Sequence, residues 1–251
     1  MKTLTRRILS ATLASGLALA LAACDSAEDA DAPPAGEPIA AIPAPDGQAW
    51  TDVVTVTGKG GYVLGNPDAP IKLIEYGSLT CPGCAAFSIA ATDPLKQDYI
   101  SSGRVSMEFR SFIIHGPLDL ALTALIGCGS DEAAHPLSEQ IWANLGEIQQ
   151  RAYADQAALE AALKLPEDQR FVVFAERAGL YDFFAARGLS ADQAKSCLAD
   201  WSKLEGIAKL SQGYAQDDGI NSTPTFVLNG RQLDDSSWAA VEAALQRAGA
   251  R

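Results

Sequence analysis

The chain has 251 residues, nearly half of them apolar, which allows one ordinary domain with an insertion or two small domains around a sizeable core. Its net charge is −12, and Lys2, Arg6 and Arg7 are the only charged groups among the first 23 residues, so the remainder is more negative still. That balance excludes nucleic acid as a natural partner, because phosphate binding needs clustered Lys and Arg to displace counterions. It also sets the protein against an anionic lipid surface.

Residues 1–23 read as an export signal: a basic start is followed by an apolar run, Ile8 to Leu21, too short for a comfortable permanent span. The run ends in Leu21-Ala22-Ala23-Cys24, which resembles a bacterial lipobox with Cys24 as the lipidated residue. The alternative is a plain secretory signal with an incidental cysteine. Residues 24–48 carry five prolines, six acids and no apolar periodicity, and read as an acidic Pro/Ala-rich tether. A flexible or partly extended tether of that length reaches roughly 25–50 Å.

Trp50 to Thr57 alternates and predicts a first strand, with Val63 in a second and Gly65-Asn66-Pro67-Asp68 as a turn. Ile71 to Tyr76 predicts an apolar strand with Glu75 inside it. A carboxylate there is costly unless it has a partner or a role. A proton relay to Cys84 through water is the functional reading, and a charge at a sheet edge the structural one. Next comes Cys81-Pro82-Gly83-Cys84 and then a helix from Ala85, with a kink predicted at Asp93-Pro94 and an end near Ile100. Val105 to Phe112 predicts another strand, with Val105, Met107 and Phe109 facing away from Ser106, Glu108 and Arg110. Residues 117–217 are helical almost throughout, and Ser190 with Gln193 has the form of a capping box. Strand character returns over Gly219 to Asn229, Asn229-Gly230 marks a hairpin, and Ser236 or Ser237 caps a last helix from Trp238.

The Cys-x-x-Cys therefore sits where a buried strand turns into a helix. A helix N-terminus carries about half a positive charge and unbonded N–H groups. A thiolate at Cys81 is stabilised there and becomes a nucleophile, and the two-residue spacing lets Cys84 close a disulfide with it. This pattern proposes redox chemistry.

Glu75-Tyr76, Cys81-Pro82-Gly83-Cys84, the long helical insertion and Ser222-Thr223-Pro224-Thr225-Phe226 together resemble DsbA-like proteins, thioredoxin-fold thiol–disulfide oxidoreductases of the bacterial envelope. Val63 to Pro70 is similar to the entry segment of that family, so the resemblance runs from about Gly61 to the end. It implies an α/β thioredoxin fold with a helical insertion subdomain, the fold built from residues 49–116 and 218–251 and the insertion from 117–217. It implies a cis Thr223–Pro224 bond against the cysteines, with the Thr223 backbone pairing to an extended substrate, and catalysis by Cys81, Cys84 and Glu75 without metal or organic cofactor. It further implies cysteine-containing exported proteins as substrates, a membrane redox partner, a location in the periplasm or envelope, and, since only a tether precedes the domain, a monomer. Gly83 stands where the strongest oxidants of the family carry histidine, which implies a couple between roughly −270 and roughly −120 mV. Some relatives carry a second, non-catalytic disulfide in the insertion, which implies a Cys128–Cys197 bridge here, with two buried thiols as the alternative. His115 and His135 lie at no zinc spacing from a cysteine pair, and a zinc site built from Cys81, Cys84 and a distant pair is the metal alternative. An oxidase, a reductase of the same fold and a non-catalytic binding lipoprotein remain the three functional readings.

Overall fold

The computed structural model describes residues 36–251. The export signal, Cys24 and the first part of the tether lie outside them. Three short strands come first in the domain: β1 (Val54–Val56), β2 (Tyr62–Gly65) and, after the Asn66-Pro67 turn, the longer β3 (Ile71–Gly77). Helix α1 (Pro82–Pro94) follows, then a π-helical turn over Leu95–Ile100, then β4 (Val105–Ser111). The change of helix type falls at the predicted kink, where Pro94 has no N–H to continue the ladder.

The insertion comprises α2 (Pro117–Ile126), α3 (Ala134–Ala143), α4 (Leu145–Ala152), α5 (Gln156–Ala162), α6 (Glu167–Arg177), α7 (Leu180–Ala185), α8 (Ala191–Ala199) and α9 (Trp201–Gln216). Strands β5 (Thr225–Leu228) and β6 (Arg231–Gln232) and helix α10 (Trp238–Arg247) complete the domain. The β5–β6 turn is Asn229-Gly230, both at positive φ, as a tight hairpin requires. Ser237 caps α10, and Ser190 with Gln193 closes the capping box of α8.

The sheet order is β1-β2-β4-β3-β5-β6. β3 and β4 run parallel across the α1 crossover, and the other neighbours are antiparallel. β3 is thus a central strand, which removes the sheet-edge reading of Glu75: its neighbours in register are Phe109 on one side and Phe226 on the other. One core lies between the sheet and α1 and α10, built on Leu73, Phe87, Ile100, Phe226 and Leu245. The other lies within the insertion and reaches the cysteines, from Leu122 and Phe184 to Leu79 and Cys84.

Two segments differ from expectation. Trp50–Asp52 is a 3-10 turn, so the first strand shortens to β1; the Trp50 indole is buried and its N–H donates to Ile42 O at 2.8 Å. More substantially, residues 36–48 are not a free tether. Gly36 N bonds Arg247 O, Ile39 N bonds Gly249 O and Ile42 N bonds Ser102 O, while Ile39 and Ile42 pack on the α1-side core. Gly249, at φ 108°, is required there, because a Cβ would stand 2.5 Å from Glu37 O.

Cys128, just beyond α2, is bonded to Cys197 in α8, across 69 residues of sequence. On the chain-entropy model such a link stabilises by about 4 kcal/mol. Replacing both cysteines with alanine is expected to lower the unfolding free energy by that order, read in a denaturant titration.

Candidate active site

Cys81 is the N-cap of α1 and Pro82 its first residue, where proline's missing N–H costs nothing. Neither cysteine is bonded. Cys84 is fully buried, and Cys81 keeps only 6% of its surface. The first sulfur is therefore less open than its helix-end position suggests. The cause is the opposite loop: Cys81 Sγ lies 3.4 Å from Thr223 O, and the Thr223–Pro224 bond is cis. A Cβ on Gly83 would meet Pro224 Cδ at 3.1 Å, so position 83 faces the proline at contact distance.

The two sulfurs have opposite tendencies. The Cys84 thiol donates to Cys81 and is the largest of the influences that hold the Cys81 thiol down at about 5, against its desolvation. The Thr223 side chain and the Gly83 and Cys84 amides at the helix N-terminus lower it further. Cys84 is pushed far up and keeps its proton, first because that proton is hydrogen-bonded to Cys81, then by burial and by the nearby Glu75.

Glu75 sits on the α1-facing side of the sheet, 3% exposed, with Oε1 unpartnered. Burial first, and the Cys81 charge second, raise its carboxyl to about 8. Gly77 makes room for it, since a Cβ there would come within 2.8 Å of Glu75 Oε1. Glu75 lines a cavity of about 40 Å³ that also touches His135 and the partly exposed Lys96–Glu139 ion pair. That volume holds a few waters. His135 Nε2 is 2.9 Å from the Tyr62 carbonyl, which only accepts, so the proton is on Nε2; burial lowers this histidine to about 4.

The loop before Pro224 is tied down by groups that the pattern of the sequence does not single out. Glu108 and Arg110 form a buried two-pronged pair at 2.8 and 2.9 Å, Arg110 donates to the Tyr76 hydroxyl at 2.6 Å, and that hydroxyl donates to Asp218 at 2.9 Å. Asp218 also meets Lys59. Alternation alone reads Glu108 and Arg110 as a solvent face of β4; in the fold that face is covered, and the charges survive by pairing.

The structure brings Cys81, Cys84, Glu75, Thr223 and Pro224 into one site and places the Cys128–Cys197 bond outside it, in the insertion. Because those two sulfurs bind each other, they do not join Cys81 and Cys84 in a zinc site. A Cys-x-x-Cys at a strand-to-helix junction, opposite a cis-proline that opens an antiparallel strand, defines a thioredoxin-fold dithiol protein. The chain belongs to the thioredoxin family, whose model matches residues 57–247.

Among relatives, it is 30% identical over 188 residues to a Bacillus cereus protein described as a probable disulfide bond formation protein D, covering 73% of this chain and 78% of that one. It is 27% identical over 186 residues to a Rickettsia bellii protein named as a protein-disulfide oxidoreductase, covering 74% of this chain and 63% of that protein's length. Two solved structures share the fold. One is described as a protein-disulfide isomerase from Novosphingobium aromaticivorans (TM-score 0.68, 24% identity, 73% of this chain and 94% of that chain). The other is alpha-DsbA1 of Wolbachia pipientis (TM-score 0.55, 23% identity, 73% and 80%). Among the described residues no helix is long and apolar enough to cross a membrane.

Proposed function

We propose that the protein is an envelope thiol–disulfide oxidoreductase that introduces or exchanges disulfides in exported proteins through Cys81-Pro82-Gly83-Cys84 and a mixed-disulfide intermediate. The observation that carries this reading is the asymmetry of the sulfurs: one held as a thiolate near neutral pH and facing Thr223, the other buried beside an unpartnered carboxyl. The names of the relatives support it.

In the oxidised enzyme a client thiolate attacks Cys81 Sγ. The client–Cys81 bond forms, the Cys81–Cys84 bond breaks, and the electron pair falls on Cys84. Glu75, with its carboxyl near 8, is protonated at neutral pH, lies close enough to Cys84 to oppose its ionisation, and returns a proton to it by way of water. A second client thiolate attacks the client sulfur, and Cys81 leaves as a stabilised thiolate. The client has lost two electrons and the enzyme carries them to a membrane redox partner, which takes them as Cys84, deprotonated by Glu75, closes the disulfide again. Pro224 offers neither an N–H nor a long side chain, so a client chain can lie along the Thr223 backbone. Cys24, as a lipidated residue, would keep a monomeric domain at the membrane.

A Cys81 pKa of about 5 lies between roughly 7 for thioredoxin and roughly 3.5 for the strongest oxidant of this fold. A stabilised thiolate favours the reduced enzyme and hence oxidation of clients. The test is twofold: mix the oxidised protein with reduced, unfolded ribonuclease A, and equilibrate the protein against glutathione. Disulfide transfer with a potential well above roughly −270 mV is expected. A potential at that value makes the protein a reductase, and no exchange at all leaves a binding module.

A further inference from the structure

Asp119 has no role in the scheme above. It stands in the first turn of α2, where acids usually face water against the helix end, yet it is fully buried. Its Oδ1 accepts from the Leu79 amide at 3.1 Å; its Oδ2 accepts from the Ser78 hydroxyl at 2.7 Å and the Ile114 amide at 3.3 Å. Burial outweighs these bonds and lifts the carboxyl to about 6.

His115 completes the cluster, with Nδ1 3.2 Å from Ser78 Oγ and 3.1 Å from Thr80 Oγ1. Serine, histidine and aspartate are the residue types of a hydrolytic triad, but Ser78 is fully buried and its hydroxyl proton goes to Asp119. It is no nucleophile. What matters is the other end of the same residue: the Ser78 amide is 3.4 Å from Cys84 Sγ. The insertion grips the rest of this loop too, with Trp142 Nε1 donating to Ser78 O and Gln149 Nε2 to Thr80 O, both at 3.0 Å.

We propose that Asp119 is a positioning residue for the resolving sulfur: by holding Ser78 and Leu79 from α2, it keeps the Ser78 N–H on Cys84 Sγ, so that negative charge arising there is met by a donor already in place. The inference rests on the oxidoreductase reading. Charge reaches Cys84 whenever the mixed disulfide is made or resolved, and a fixed donor is worth most for charge that develops during the step. Cys81 draws its stabilisation from Cys84, Thr223 and the helix amides instead. The two sulfurs therefore respond differently to loss of Asp119.

Ellman's reagent separates them in the full chain. The Cys81 thiolate attacks it, forms a Cys81–thionitrobenzoate disulfide and releases one thionitrobenzoate. Cys84, losing its proton, then attacks Cys81 Sγ, restores the Cys81–Cys84 bond and releases the second. In Asp119→Ala the first release keeps its rate within about twofold, while the second slows about tenfold, as expected for a misplaced hydrogen bond to a charged atom. Asp119→Asn keeps an acceptor for Leu79 and falls between. Near-UV circular dichroism checks the fold of each. Second releases at the unsubstituted rate overturn the proposal. So does equal slowing of both releases, or failure of both variants to fold, since each assigns Asp119 to stability alone. If the unsubstituted protein makes no second release, the oxidoreductase reading itself falls and takes this inference with it.

Discussion

Reduced Glu75→Gln is expected to be more stable than the unsubstituted protein at neutral pH and slower in turnover. The folded carboxyl titrates near 8 rather than 4.5, because burial and the Cys81 charge oppose its ionisation. A raised carboxyl pKa means that the folded state binds the proton more tightly. Stability is then fully present below about 4.5 and falls as pH rises toward 8. At 1.36 kcal/mol per unit, the loss from acid to pH 7 is about 3 kcal/mol. The variant has no proton to lose and escapes this slope. Urea titrations of the two reduced proteins should differ by a constant below pH 4.5 and diverge by about 3 kcal/mol at pH 7. In the oxidised proteins the divergence shrinks, since Cys81 then carries no charge. Turnover should fall about a hundredfold, the ordinary worth of a positioned acid–base group. Parallel pH dependences would mean that Glu75 is not perturbed, and an unchanged rate that it moves no proton.

The second large effect concerns Cys81. Its alkylation rate should follow a single ionisation near 5, and Cys84 should stay unmodified in the folded protein. At pH 7 the contrast with an ordinary thiol is small: almost full ionisation raises the rate about thirtyfold, but the weaker nucleophilicity of an acidic thiolate removes nearly all of it. At pH 5 an ordinary thiol is scarcely ionised, and Cys81 should react on the order of fortyfold faster. Cys81→Ser should abolish disulfide transfer, while Cys84→Ser should retain the first attack and hold client proteins as mixed disulfides on Cys81. An alkylation midpoint near 8.5 would remove the stabilised thiolate on which the proposed direction depends.

The site was legible where chemistry and position coincide in a short window. Cys81 and Cys84 at a strand end, Glu75 six residues earlier and Thr223-Pro224 before a strand stand out because each breaks the pattern around it. Asp119 does not, because an acid in a first helical turn looks like a surface residue. Only the fold shows that this turn of α2 faces Ser78 and Leu79. Glu108 and Arg110 were hidden for a similar reason: two-residue alternation distinguishes two faces of a strand but not whether a later helix covers the second. Residues 36–48 escaped because they dock mainly through backbone bonds and through two isoleucines too sparse to make a period.

The outer strands have a consequence of their own. β1 holds three residues and β6 two, and β6 ends the sheet on exposed Arg231 and Gln232. Rims this blunt offer few free amides and carbonyls to a passing polypeptide. Under the proposed function this matters: an enzyme that handles extended client chains, and takes them beside the proline, would present them with little flank along which a fibril could start.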